Sequence, residues 1–174
     1  MSFSGRAVFF LLLVFIVFEG KGETFTVISN ADAGPGTLRE ALTLASANGT
    51  GERDFILFNL PDHSEAGRTI VLLSQLPDVS SNLVIDASSQ PGSPFGVSTA
   101  RVRLVTDFSK DVRHVGLNVS QVRDVEIYSL YITNLSPYTY VPGQGFWQGI
   151  RIRDSKNIGI GAAGKGNVIT GFQY

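Results

Sequence analysis

Gly116-Leu117-Asn118-Val119 returns as Gly149-Ile150-Arg151-Ile152, and Asp124-Val125-Glu126-Ile127 returns as Asn157-Ile158-Gly159-Ile160, both 33 residues later. A third segment, Ile132-Thr133-Asn134, matches Ile169-Thr170-Gly171 at a spacing of 37. The extra length falls in Gly161-Ala162-Ala163-Gly164, before the last segment of the second copy. Each copy therefore holds three short segments in which apolar residues alternate with polar ones. Alternation is the period of a strand with one buried face. Recurrence at a period of tens of residues is the mark of a stacked architecture, in which each repeat buries its apolar face against the next. Three strands per repeat fit one coil of a parallel β-helix. Leu117/Val119, Val125/Ile127 and Leu130/Ile132 are its expected inward residues.

Outward from this repeat, the same pattern extends over most of the chain. Short strands are expected at 23–29, 54–60, 69–73, 82–86, 101–106, 116–119, 124–127, 130–133, 149–152, 157–160 and 167–170. Gly, Asn, Asp and Ser clusters separate them, which argues against a βα-alternating sheet. One helix is expected, at 37–48 (TLREALTLASAN). Thr37 followed by Glu40 forms a capping box, with Glu40 expected to reach back to the Thr37 amide. Leu38, Ala41, Leu42 and Ala45 form one apolar stripe. Asn48-Gly49 ends the helix, with Gly suited to a left-handed cap. The first coil of a solenoid exposes an apolar end and needs cover. Thr37, Leu38, Arg39, Glu40 and Leu42 are read as that cap, with Arg39 pairing with a backbone carbonyl or an acidic turn residue. The fold expected is all-β, a right-handed parallel β-helix with one N-terminal capping helix.

The first 22 residues stand outside this pattern. Arg6 supplies a positive charge, and 8–18 (VFFLLLVFIVF) is an unbroken apolar run. It is shorter than the roughly 20 residues that span a bilayer and has the length of a signal-peptide core. Gly20 and Gly22 offer a cleavage site, so 1–22 is read as a signal peptide and 23–174 as the β-helix domain. No membrane span is expected after cleavage. The last strand ends four residues before Tyr174, with no covering element after it. A longer protein that continues the solenoid is the expectation, with self-association through the uncapped C-terminal end. The chain has no Cys, so packing and backbone hydrogen bonds must hold it together in an oxidising compartment. Its net charge is −1, with no basic stripe for nucleic acid.

Asp32-Ala33-Gly34-Pro35-Gly36-Thr37-Leu38-Arg39-Glu40-Ala41 resembles the D-x-G-x-G-[ST]-L-R-x-A segment of bacterial secreted β-helix surface proteins of the pectate-lyase-like kind. Matches follow in the same order: Phe55-Ile56-Leu57-Phe58 before Leu60-Pro61, Thr69-Ile70 before Leu76-Pro77, Ile85-Asp86 before Gln90-Pro91-Gly92, and Asn157-Ile158-Gly159-Ile160-Gly161 before Gly166-Asn167. Ala87 and Ala162 replace glycines usual in that pattern, which bears on local turn conformation. The resemblance covers nearly all of 23–174. It implies secretion or a bacterial cell-surface location. It implies no single activity, because such β-helices include adhesins, polysaccharide lyases and stalks.

Function must then come from a site. The outward strand residues Arg101, Arg103, Asn118, Glu126, Arg151 and Arg153 are candidates for a polar groove. The resemblance to β-helix lyases would require a basic proton abstractor beside clustered acids that hold calcium. Only Glu126, Asp124 and Asp154 are near in the repeat frame, so no metal site or cofactor is expected. His63 and His114 have no nucleophile or metal partner at useful spacing. The insertion 135–148 (LSPYTYVPGQGFWQ) carries Tyr138, Tyr140, Phe146 and the only Trp, Trp147. Aromatic rings with polar tips are stacking platforms for sugars, so Tyr138, Tyr140 and Trp147 are the candidate ligand contacts. The function expected is an adhesive or carbohydrate-contacting scaffold with no catalytic site, its partner an extracellular polysaccharide or glycan. A lyase or glycoside hydrolase, and a passive stalk, are the alternatives.

Overall fold

A computed structural model of the protein describes residues 21–106, 115–134 and 148–172. The signal-peptide expectation for 1–22 rests almost wholly outside these residues. So do Tyr138, Tyr140, Phe146, Trp147 and His114.

The order of elements is β1 (Thr24–Val27), α1 (Leu38–Asn48), β2 (Asp54–Phe58), β3 (Thr69–Leu72), β4 (Leu83–Asp86), β5 (Val102–Thr106), β6 (Val115–Ser120), β7 (Arg123–Tyr128), β8 (Leu130–Asn134), β9 (Gln148–Arg153), β10 (Lys156–Ile160) and β11 (Val168–Ile169). A short 3-10 turn, Ala87–Ser89, follows β4. The strands form three wholly parallel sheets. Sheet A runs β1-β2-β4-β7-β10, sheet B β11-β8-β5-β3, and sheet C β6-β9. β1 and β2 pair within sheet A, and from β2 onward successive strands pass from one sheet to another, which makes a β-solenoid of about four coils.

The sequence repeat is the register of this stack. Leu117 pairs with Ile150 and Val125 with Ile158, each 33 residues on, while Ile132 pairs with Ile169, 37 residues on. Because paired residues share a face, each inward residue starts or continues a column. Ile56, Ile85, Ile127 and Ile160 form one in sheet A. Val102 and Leu104 of β5 sit under Leu130 and Ile132 of β8. The six predicted inward residues are all fully buried. At the last-coil end of the columns, Ile152, Ile160 and Ile169 are about half exposed.

The turns between strands repeat too. Gln121 and Asp154 have φ of 58° and 48°, and Asn82, Asp124 and Asn157 have 56°, 58° and 56°. Asn and Asp tolerate this left-handed region better than other side-chain-bearing residues. The Asn157 amide also donates to the Asp124 carboxylate at 2.6 Å, linking adjacent coils. Neither Ala87 nor Ala162 has positive φ, so the glycine replacements leave their turns unstrained.

The helix packs against β1 and β2. Leu38, Ala41, Leu42 and Ala45 are buried and belong to the same core cluster as Val27, Ile56 and Leu72. Thr37 is the N-cap, and its hydroxyl accepts from the Glu40 amide at 3.3 Å. The other half of the capping box differs from expectation. Glu40 accepts from the Gly36 amide at 2.6 Å, one residue before Thr37. Gly36 has φ 73°, which turns its N–H toward the helix. Gly49 also departs from the expected left-handed cap: φ is 96° but ψ is −169°, an extended conformation open essentially to glycine.

Arg39 takes both of the partners the sequence suggested. Its guanidinium donates to the Asp32 carboxylate at 2.7 Å, and to the carbonyls of Asp32, Ser74 and Gln75. The Asp32 carboxylate also accepts from the Leu73 amide. One ion pair thus fastens the helix to the third side of the next coil, where residues 76–79 bond to β6 through Val79 N–H and the Asn118 carbonyl. Asp54 opens the Leu83–Val125–Ile158 column as a buried acid, satisfied by the Glu23 amide and the Asn48 side chain at 2.8 Å each.

Candidate functional site

The outward polar residues divide among three faces, so the candidates do not share the one face a single groove would need and are mostly a solvated strand surface. Asn118 and Arg151 pair across sheet C, and Arg153 lies there beside Asp154 at 3.0 Å. Glu126 stands on sheet A. Arg101 precedes β5 and donates to the carbonyls of Gly92 and Gln90, holding the 91–99 loop to the coil. Only Arg103 is left on sheet B.

On sheet A the acids are engaged with one another's neighbours. Glu126 accepts from Arg53 at 3.0 Å and from the Tyr128 hydroxyl at 2.8 Å. Asp124 accepts from Asn157. Lys165 lies over the Tyr128 ring and donates to Asp86 at 2.7 Å. Since Asp86 and Tyr128 are register partners, this bond joins a loop of the last coil to β4 across β7. Burial pushes the Asp86 carboxyl up, but hydrogen bonds from Lys165 and Ser88 outweigh it and hold the pKa below the ordinary carboxylate value. A lowered folded pKa means the contribution to stability is present above the unfolded value, about 3.9. It is lost as pH falls through the lower folded value. Asp86→Asn should therefore melt below wild type at pH 7, and the difference should shrink as pH falls below the ordinary carboxylate range and through the lower folded value. A gap that persists in acid would assign the effect to packing.

Sheet B carries a different surface. Thr69, Arg103, Tyr131 and Val168 are successive register partners across its four strands. At about 4.8 Å per strand this row spans about 14 Å. A depression of about 690 Å³ covers the β3 end, lined by Asn30, Asp32, Glu65, Thr69, Leu73 and Arg103 among others. A second, of about 440 Å³, covers the β8 and β11 end, with Glu65, Phe95, Ser98, Arg103, Tyr131 and Val168 in its lining. Both share Arg103 and Glu65, so the two depressions meet at that pair, and together they make up the trough across the strands.

The 91–99 loop builds one wall of it. Phe95 is buried and stacks on Tyr131, with centroids 6.1 Å apart and planes at 20°. The Arg103 guanidinium lies 4.4 Å from the Phe95 centroid and 5.0 Å from that of Tyr131. Arg68 is buried, lies 4.6 Å from the Phe95 centroid, and donates to the carbonyls of His63 and Arg101. This bond gives His63 a loop role through its backbone. The Arg68 pKa is lowered, first by burial, with Glu65 opposing and the charges of Arg101 and Arg103 adding to the depression.

The sequence reading found Arg103 but not Phe95, Tyr131 or Glu65 as its companions. Phe95 is the one large apolar residue in the turn-like run Pro91-Gly92-Ser93-Pro94-Phe95-Gly96, and that isolation was the available signal. Among the described residues no helix is long and apolar enough to cross a membrane. No model of a protein family matches the chain, and no curated protein matches it either.

Proposed function

We propose that the chain is an exported β-helix scaffold, secreted or held at a cell surface, that contacts extracellular carbohydrate and has no catalytic centre of its own. Its coils would wind right-handed, as nearly all parallel crossovers do, with α1 as the N-terminal cap. The observation that carries the reading is the trough on sheet B. It combines a sheet floor, the partly exposed Tyr131 backed by the buried Phe95, and an arginine, a mixture of apolar surface and directed polar groups of the kind sugar rings need. The apolar run at 8–18 supports export. The acids of sheet A are tied up in ion pairs and hydrogen bonds between coils, which favours a structural role for them over a catalytic one.

Glycan-array screening followed by titration of the best ligand tests the proposal. Tyr131→Ala should weaken binding about tenfold, the effect of losing a central aromatic contact. Tyr131 is partly exposed, so this variant should keep the fold. Trp147 fluorescence separates the two aromatic candidates. Binding that is lost in Trp147→Ala and unchanged in Tyr131→Ala would move the site to the 135–148 insertion. Turnover of any bound polysaccharide would replace the scaffold reading with an enzyme.

A further inference from the structure

Arg103 differs from the arginines around it in how it spends its donors. Arg39, Arg68 and Arg101 each donate to backbone carbonyls and so knit turns to coils. Arg103 makes no such bond among the described residues. Its Nε is buried without an acceptor. Its ionic neighbour is Glu65, at 3.6 Å, beyond a good hydrogen bond. Glu65 is 64% exposed and sits in the 61–67 loop, whereas Arg103 is only 28% exposed and is fixed by two rings. A partly desolvated guanidinium held between two rings therefore faces a largely exposed carboxylate that is not hydrogen-bonded to it, in the middle of the trough.

Guanidinium groups bind carboxylate or sulfate through two parallel N–H donors, and those bonds are shorter and stronger than the Glu65 contact. With Arg68 and Arg101 nearby, Asp32 of the lining already paired with Arg39, and Glu65 the acid between the two depressions, the trough centre has an excess of positive charge. The ligand's backbone chemistry follows from the same place in the fold. The trough lies across the face of sheet B, where β5 is paired on both sides and side chains of β3, β5 and β8 are presented rather than main-chain groups. A strand-adding peptide would need the outer edge of β3 instead. Ring hydroxyls and a pendant anion would find Thr69, Tyr131 and Arg103.

We infer that the trough selects glycans bearing a carboxylate or sulfate, which seat on Arg103, and that Glu65 is the chain's own competitor for that seat. This rests on the carbohydrate reading above and adds the ligand class and the residue that limits affinity. On binding, the ligand anion takes the Arg103 donors and Glu65 swings into solvent. Removing the Glu65 charge removes the competition, so Glu65→Gln should bind acidic glycans more tightly than wild type.

Isothermal titration of the intact chain tests this with three probes of matched length: a polyuronate, a sulfated galactan and neutral dextran, with polyglutamate as the peptide control. Wild type should prefer at least one acidic glycan to dextran by about tenfold, and the two acidic arms report whether carboxylate or sulfate is favoured. Glu65→Gln should raise affinity for that glycan by about two- to fivefold, the scale of a part-exposed ion pair, and leave dextran unchanged. Arg103→Gln should erase the acidic preference. Glu65 is exposed, so its variant keeps the fold even if Arg103→Gln does not. Unchanged or weaker acidic binding in Glu65→Gln overturns the competitor role. Equal binding of dextran and the acidic glycans overturns the selectivity and leaves the carbohydrate reading standing. Binding of polyglutamate with no glycan bound overturns both.

Discussion

Leu42→Asp should leave the chain without a cooperative melt. Leu42 is fully buried in the helix stripe, and that stripe shares one cluster with Val27, Ile56 and Leu72 of the first coils. Truncating a buried Leu to Ala already costs about 2–5 kcal/mol. Aspartate adds an unpaired carboxylate to an apolar site, which raises the cost beyond the range of ordinary substitutions, above about 4 kcal/mol. A domain of this size has only about 5–15 kcal/mol in total. Leu44 supplies the control. It lies two residues along the same helix but is 45% exposed, so Leu44→Asp should stay within about 0.5 kcal/mol of wild type. Circular dichroism melts of the two variants measure the contrast. Equal melting of Leu42→Asp and wild type would mean that the helix does not seal the core.

What the sequence disclosed was set by how local the signal is. Alternation and the 33-residue return of Leu117 at Ile150 and Val125 at Ile158 became register directly, because paired strands must keep inward residues in column. The earlier coils hide the same rule. Leu83 pairs with Val125 at a spacing of 42, while Val102 pairs with Leu130 at 28. Long turns such as 87–101 shift the period without disturbing the stack, so those coils look unrelated by eye. The helix stripe and the Thr37 cap were equally local. Glu40 was misdirected by one residue because the φ of Gly36, which aims its N–H, is not written in residue types.

The candidate groove failed for a related reason. Alternation separates outward from inward, but a three-sided coil has three outward directions. Arg101, Glu126 and Arg151 all read as outward, yet turn lengths sent them to a loop anchor, sheet A and sheet C. The trough needed two long-range facts that no spacing shows. Thr69, Arg103 and Tyr131 had to align across coils of 34 and 28 residues, and a loop phenylalanine had to fold back onto the sheet. Glu65 was then brought opposite Arg103 by the loop before β3.

Gly116→Val should be the most damaging single substitution at a glycine of the repeat. Gly116 and Gly149 begin the two segments whose recurrence first revealed the fold, and they lie side by side at the start of β6 and β9. A Cβ on Gly116 would stand 2.4 Å from the Gly149 carbonyl oxygen and 3.0 Å from the Ile132 side chain. The first contact is with backbone in the parallel ladder, so it cannot be relieved by a rotamer change. The strands must separate, and Leu117 and Val119 above Ile150 and Ile152 must move with them. Overpacking of this kind costs about 1–3 kcal/mol when side chains can adjust. With backbone in the way the upper end or more is expected, a loss of about 6–12 °C in melting temperature. Gly34 is the opposite case in space, with nothing near its Cβ position, but its φ of 106° would strain any side chain there. Gly51 has both open space and an ordinary φ, so Gly51→Val should melt close to wild type. Thermal denaturation of Gly116→Val, Gly116→Ala and Gly51→Val gives the order. Gly116→Ala should already be destabilised, because the clash begins at Cβ. An alanine variant indistinguishable from wild type would mean that β6 and β9 are spaced more widely than the ladder between them allows.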